Sequence, residues 1–184
     1  MKSKKIPKEY VDLLDINQIL AKTNDLAKLK IILKHDKIKG SGLYATKNIK
    51  KGELIAYYKM KVVDHRNYTS PTNYMYAFDI YTKTGRESKA LIGDIDLNSF
   101  PEPLKNIPYW APFANEPSPN QNLNAEIDTN LKENYTNRAQ IKQGAFMIYK
   151  LVATQNIKPG EEITIYYGKD YVRNYELDIN KFEN

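Results

Sequence analysis

The nine residues Ala45-Thr46-Lys47-Asn48-Ile49-Lys50-Lys51-Gly52-Glu53 return 108 positions later as Ala153-Thr154-Gln155-Asn156-Ile157-Lys158-Pro159-Gly160-Glu161, with seven of the nine identical. Each copy runs on into apolar residues, Leu54-Ile55-Ala56 and Ile163-Thr164-Ile165, and then into a Tyr-Tyr pair. The shared pattern is a polar turn closed by glycine and glutamate, followed by a strand. A tandem solenoid repeats at short, even intervals, whereas the sequence between these copies is unlike them. The copies are therefore expected to be two equivalent turn-and-strand units of one domain, and the fold to be built around them.

Composition narrows the chemistry further. With 184 residues and 41% hydrophobic content, the chain has room for one domain with a core. The absence of cysteine removes disulfides, thiolate metal sites and a cysteine nucleophile together. Two scattered histidines, His35 and His65, argue against a zinc or triad centre. Chemistry must then rest on oxygen atoms, main-chain groups and aromatic rings, with no metal. No apolar run reaches the roughly 18 residues that span a bilayer. The basic start, Met1 to Pro7, has no apolar segment behind it to act as a secretion signal, so the chain is expected inside the cell. The formal charge of +6 comes from lysines spread along the sequence. A nucleic-acid footprint needs Arg and Lys interleaved with stacking aromatics on one element, and arginines are few.

Apolar residues at helical spacing (Val11, Leu14, Ile19, Leu26, Leu29), with Asn24 as a cap, predict a helical preface of two short helices over residues 1–30. A strand is predicted at Leu29 to Leu33, then a polar turn through Lys39-Gly40-Ser41-Gly42 into Leu43-Tyr44-Ala45. Further strands are predicted at Leu54 to Tyr58, Met60 to Val63, Tyr74 to Ile80, Lys89 to Ile92, Leu123 to Ile127, Ala145 to Val152 and Ile163 to Tyr166, with Lys83-Thr84-Gly85 as a hairpin turn. The class is mainly β. Pro101 to Pro119 is too rich in proline for a central strand or a long helix, yet it holds Trp110 and Phe113. It is expected as an ordered, largely buried connection that places specific groups. Gly168 to Leu177 is predicted as a short C-terminal helix with Tyr171 and Tyr175 on one face.

Taken in order, Lys39 to Ala45, Ile49 to Glu53, Asn115 to Asn120 and Gly160 to Gly168 resemble the SET domain of protein lysine methyltransferases, and Tyr74 to Phe78 resembles a strand of that family's central insert. The resemblance implies a SET-domain β-clip at residues 31–170, with the insert at about 60–110, in which the Asn-rich and final Tyr-Gly segments pass through each other as a pseudoknot. A C-terminal segment, 171–184, would close the lysine channel. It also implies S-adenosylmethionine as methyl donor, S-adenosylhomocysteine as product and no metal. The partner would be a protein presenting a lysine, a histone tail first, with no direct nucleic-acid binding and no membrane. The location would be nuclear for a histone substrate and cytosolic otherwise.

By the same resemblance Lys39, Gly40, Ser41, Gly42, Leu43, Tyr44, Tyr74, Asn115 and Glu116 hold the cofactor. The glycines let main chain approach a ligand closely. Tyr167, before Gly168, matches the family's catalytic tyrosine, and Tyr58 matches a second channel tyrosine. Tyr58, Tyr74, Ile165, Tyr167, Tyr171 and Tyr175 would line the substrate channel. The bland reading of the same residues is a hairpin for the glycines, a turn cap for Asn115 and core aromatics for the tyrosines.

Two positions depart from the family pattern. Glu116 and Pro117 follow Asn115 where the family usually has histidine, and Ile165 stands where Phe or Tyr is common and linked to methyl number. These departures motivate a rival reading, a SET-like protein-binding module without catalysis; a methyltransferase of a non-histone protein is the other alternative. The charge alone motivates a third, a basic nucleic-acid-binding protein.

Overall fold

The echo folds as two equal turns bonded to each other. The computed structural model describes residues 16–36, 39–67, 77–81, 87–95, 100–129, 143–171, 173, 175–178 and 182. In the first copy the Glu53 N–H donates to the Lys50 carbonyl at 3.0 Å, and in the second the Glu161 N–H donates to Lys158 at 3.1 Å. Gly52 and Gly160 sit third in these turns with φ of 81° and 89°, the sign that a type II turn requires and that glycine supplies without strain. Each glutamate turns back on its own copy: Glu53 accepts the Lys50 N–H and Glu161 the Lys158 N–H. Ile49 and Ile157 exchange both main-chain hydrogen bonds, each 2.9 Å. Gly52 N–H donates to Ala153 and Gly160 N–H to Ala45, at 2.8 Å each, an exchange that maps onto itself when the copies are swapped. One bond breaks the symmetry: Lys51 N–H donates to the Asn156 side chain, and the matching Pro159 has no N–H to give.

This symmetry carries an expected result. A Cβ at either Gly52 or Gly160 would meet nothing within 4 Å, so an alanine there is penalised by backbone strain alone. Gly52→Ala and Gly160→Ala should each cost about 1–2 kcal/mol and agree within about 0.5 kcal/mol in urea denaturation. A difference above about 2 kcal/mol would show that the two turns are not equivalent.

The chain divides into two compact units, the first from residues 1–53, 113–126 and 153–184, the second from 54–112 and 127–152. In the first unit, α1 (Ile16–Lys22) buries Ile16, and a 3-10 turn at Leu26–Lys28 leads into β1 (Ile31–Asp36). Antiparallel pairing joins β1 to β2 (Gly40–Ala45), from Ile31 opposite Ala45 to Asp36 opposite Gly40. Leu29, Ile31, Leu33, Leu43, Ile49 and Ile157 form the core beneath the paired turns.

Most of the second unit's strands belong to a sheet in the order β4-β5-β3-β7-β6, from β3 (Leu54–Asp64), β4 (Ala77–Tyr81), β5 (Glu87–Ile95), β6 (Ala125–Asp128, whose first two residues belong to the first unit) and β7 (Phe146–Ala153, whose last residue does). Alternation sends Ala56, Tyr58, Met60 and Val62 to one face of β3, and Met147, Tyr149 and Leu151 to the same face of β7. Gly93 of β5 lies under Met60, whose Sδ would stand 2.9 Å from a Cβ at that position, so a larger residue there would have to displace the methionine end. Trp110, 1% exposed, and Ala111 anchor the proline-rich connection, which is buried mainly from Pro108 to Pro117, while Glu102 and Leu104 to Asn106 are exposed.

Several expectations shift. Two strands were expected at Leu54 to Tyr58 and Met60 to Val63, yet β3 runs unbroken, because Lys59 is carried on the outer face, 4.7 Å over the Phe146 ring. Ile163 to Tyr166 forms no regular strand, only isolated bridges at Glu162 and Thr164, since successive residues bond to different segments. The short C-terminal helix is replaced by a turn at residues 169–171, and none of the described residues to 178 is helical. The Gly168 and Tyr171 carbonyls, which a helix would use internally, instead accept from the Arg173 guanidinium. The hairpin turn expected at Lys83 to Gly85, the start of the preface before Ile16 and the strand start at Tyr74 to Tyr76 lie outside the described residues. Among the described residues no helix is long and apolar enough to cross a membrane.

Candidate active site

Within the first unit, residues 113–126 and 160–168 are knitted together. Asn115 and Thr164 form a parallel bridge, and the Ile165 N–H donates to the Asn115 carbonyl at 2.9 Å. Asn124 acts as an extra rung: its amide donates to the Glu162 carbonyl at 2.7 Å and accepts the Thr164 N–H at 2.8 Å. Glu116, Asn124, Glu162 and Thr164 are the buried polar residues among those described, and all four belong to this crossing. Polar groups concentrated in a core must be fully bonded, and such networks fix a single geometry.

On one side of the crossing lies the β2 main chain. The Asn115 amide donates to the Ser41 carbonyl at 3.2 Å and to Glu162 Oε1 at 3.1 Å, which uses both of its N–H groups. Among the described residues nothing donates to Asn115 Oδ1, and the half-buried Ser41 hydroxyl has no partner. A Cβ at Gly42 would stand 3.0 Å from the Tyr44 ring, 3.1 Å from Asn115 Nδ2 and 3.2 Å from Glu162 Oε1. Main chain there lies bare against the crossing. Gly40, with φ of 78°, lets the chain turn into this approach.

Lys39 ties the arrangement from beneath. Its ammonium donates to Glu162 Oε2 at 2.8 Å, Gln121 Oε1 at 2.9 Å and the Glu116 carbonyl at 3.1 Å, one acceptor for each proton. Glu162, with a side chain only 5% exposed, is thereby paired as a buried carboxylate must be. Lys39, expected among the cofactor contacts, is thus held in bonds within the chain. Leu43 is fully buried, and half-buried Tyr44 has the Lys34 ammonium 5.1 Å over its ring.

On the other side stands Tyr167. Its hydroxyl donates to the Ala114 carbonyl at 2.8 Å, and its N–H donates to Glu116 Oε1 at 2.8 Å. The Glu116 side chain is 1% exposed and also accepts from Arg173 Nε at 2.7 Å, Arg173 Nη2 at 2.6 Å and the Tyr175 hydroxyl at 2.6 Å. Pairing with this carboxylate raises the Arg173 pKa above its ordinary value. Burial first, and then the bond to Glu116, push the Tyr175 phenol well above 10. Glu116, expected at the cofactor, bonds through its carboxylate to the main chain of Tyr167 and to the C-terminal segment. The Tyr171 ring meets the Tyr167 ring edge-on at 4.8 Å, and Phe182 lies 5.5 Å from Tyr166.

Ile165 is buried in the crossing. Tyr58 belongs to the second unit, opposite Tyr149 in the β3–β7 pairing and 4.8 Å from Phe78. Burial raises its phenol pKa far above 10. Its hydroxyl has no partner among the described residues, whereas no fully enclosed polar side-chain atom there lacks one. The Tyr58 side chain is buried, 1% exposed. Tyr74 lies outside the described residues. Reading the sequence missed Glu162, Gln121, Asn124 and Arg173; the second glutamate of Gly160-Glu161-Glu162 and an arginine between Tyr171 and Tyr175 were the available signals.

A paired turn, a crossing of two segments and a tyrosine held at its edge define a SET-type architecture. The family model for the SET domain matches residues 40–168, and the chain belongs to that family, whose members are in general methyltransferases. Comparison with curated protein sequences returns no match. Among solved structures the chain is similar to a crystal structure described as a Plasmodium falciparum "putative histone methyltransferase", at 17% identity and a TM-score of 0.47, over 79% of this chain and 98% of that one.

Proposed function

We propose that the chain is an S-adenosylmethionine-dependent protein-lysine N-methyltransferase, with a histone tail as the first acceptor to test. The observation that carries this reading is the Tyr167 hydroxyl, fixed on the Ala114 carbonyl within a crossing that also presents bare main chain at Gly42. A tail is a suitable acceptor because its lysines stand on extended, unfolded backbone that can enter a narrow site. The enzyme would then be nuclear, or cytosolic for a non-histone substrate.

The cofactor fits on one feature of this chain: beside β2 the Asn115 Oδ1 and the half-buried Ser41 hydroxyl have no partner among the described residues. The main chain of Ser41, Leu43 and Tyr44 and the open Oδ1 of Asn115 would hold it. When bound, S-adenosylmethionine supplies a methyl group on a positively charged sulfur. The acceptor must be a neutral amine, yet a lysine with a reference pKa of about 10.4 is neutral only a few times in ten thousand at pH 7, a deficit of about 4–5 kcal/mol. The paired rings of Tyr167 and Tyr171 favour the uncharged form by displacing water from the ammonium. The Tyr167 proton is committed to Ala114, so its oxygen can only accept; it orients an N–H and does not protonate the amine. Deprotonation is left to solvent, and alignment supplies several kcal/mol.

The test is incubation of the full chain with isotope-labelled donor and either histones or a whole-cell lysate, read by mass spectrometry. Labelled methyl on lysine is expected. Its absence from every protein, with the donor product still bound in calorimetry, would leave a binding module without catalysis. A Gly42→Ala variant probes the donor side alone. Its methyl group would crowd Asn115 and Glu162, which are pinned by Ser41, Lys39 and Gln121 and cannot easily yield. Overpacking of this kind costs about 1–3 kcal/mol, and affinity for S-adenosylhomocysteine should fall about tenfold or more. Wild-type affinity in this variant would place the donor elsewhere.

A further inference from the structure

We propose that the Arg173–Glu116 ion pair fastens the C-terminal strap, the stretch from Gly168 to Tyr171 with Arg173 and Tyr175, against Tyr167, which makes Arg173 a positioning residue for the transfer. The proposal rests on the methyltransferase reading above. Within the strap the Tyr171 N–H donates to the Gly168 carbonyl over a long 3.4 Å. The Arg173 guanidinium does what secondary structure does elsewhere. It donates to the Gly168 carbonyl at 2.7 Å and the Tyr171 carbonyl at 2.9 Å, and stacks 5.4 Å from the rings of both Tyr166 and Tyr171. Two more of its donors, Nε and the second N–H of Nη2, form the two-pronged pair with Glu116, at 2.7 and 2.6 Å.

The carboxylate end of this pair reaches the proposed chemistry directly. Glu116 Oε1, which receives Arg173 Nη2, also receives the Tyr167 N–H. One buried anion therefore fixes the strap and the backbone of the tyrosine together, and the Tyr175 hydroxyl closes its last open position. Loss of Arg173 would leave that anion unpaired in the interior, where it draws in water or moves toward solvent. Either response shifts Tyr167 and releases Tyr171 from its edge-on contact. Lysine could restore the charge, but not the planar fork or the stacking on two rings.

The experiment compares the full wild-type chain with Glu116→Gln, Arg173→Gln and Arg173→Lys under trypsin, following cleavage after Lys169 by mass spectrometry while emission from buried Trp110 reports that the protein stays folded. In wild type the Lys169 bond should be protected. The two Gln variants should be cut at least tenfold faster, with Arg173→Lys in between. In parallel, the transfer kcat of the Gln variants should fall at least tenfold while KM for the donor changes little, and Arg173→Lys should recover part of kcat. A wild-type strap cut as fast as the variants, or variants that open yet keep kcat, would overturn the proposal. Should the Gln variants fail to fold, Arg173→Lys alone decides by the same two readouts. A wild-type chain that transfers no methyl sinks the functional reading instead, and the trypsin comparison then judges the fastening by itself.

Discussion

Replacing Tyr167 by phenylalanine should lower the rate of methyl transfer about 10²- to 10³-fold, the range seen when one positioned polar group is removed from a reacting centre. The ring, and with it the contact to Tyr171 at 4.8 Å, is kept. What is lost is the oxygen fixed by the Ala114 carbonyl, whose lone pairs are the proposed guide for the amine. The lost hydrogen bond should reduce stability by only about 1 kcal/mol, because Tyr167 remains anchored through its N–H to Glu116. The check is single-turnover transfer at saturating donor, together with the denaturation midpoint. A variant that transfers at the wild-type rate would remove Tyr167 from the mechanism, and one that unfolds would show that its hydroxyl is structural.

The second large effect concerns stability. Asn124 serves as both donor and acceptor to a neighbouring main chain, and both of its bonds are buried. Asn124→Ala would orphan the Glu162 carbonyl and the Thr164 N–H, at about 1–3 kcal/mol each. A loss of about 2–6 kcal/mol is expected, a large share of the 5–15 kcal/mol typical of a domain. Asn124→Asp should not rescue it, since a carboxylate accepts from Thr164 but faces the Glu162 carbonyl with a second acceptor. Urea denaturation of both variants is the measurement. A loss below about 1 kcal/mol in either would mean that water or a shifted neighbour replaces the missing bonds.

The repeat was legible because turns are local. Gly at the third position, Pro159 or Lys51 before it and Glu after it specify the same type II geometry twice, whatever surrounds them. Alternation was equally legible in β7, where every second residue is buried. The crossing was not, because its bonds join residues distant in sequence: Glu116 with Arg173, Lys39 with Glu162, Asn124 with Thr164. Resemblance to the family marked Asn115 and Tyr167, and the structure brings their segments together. It gave Glu116 only as a departure. A buried carboxylate needs a cation, and Arg173 is the sole arginine after Arg138, so the pair could have been sought from the sequence. The C-terminal helix was misread for a related reason, since Tyr171 and Tyr175 four apart suggest a helical face. Arg173 instead takes the carbonyls that such a helix needs.

The central claim is that the Asn115–Thr164 crossing of the first unit holds the methyl donor. Its most direct test is a crystal structure of the full chain grown with S-adenosylhomocysteine. The account predicts density for the product against the main chain of Ser41 to Tyr44 and beside the Asn115 amide. Density elsewhere, or a chain that takes up no product at saturating concentration, would contradict it.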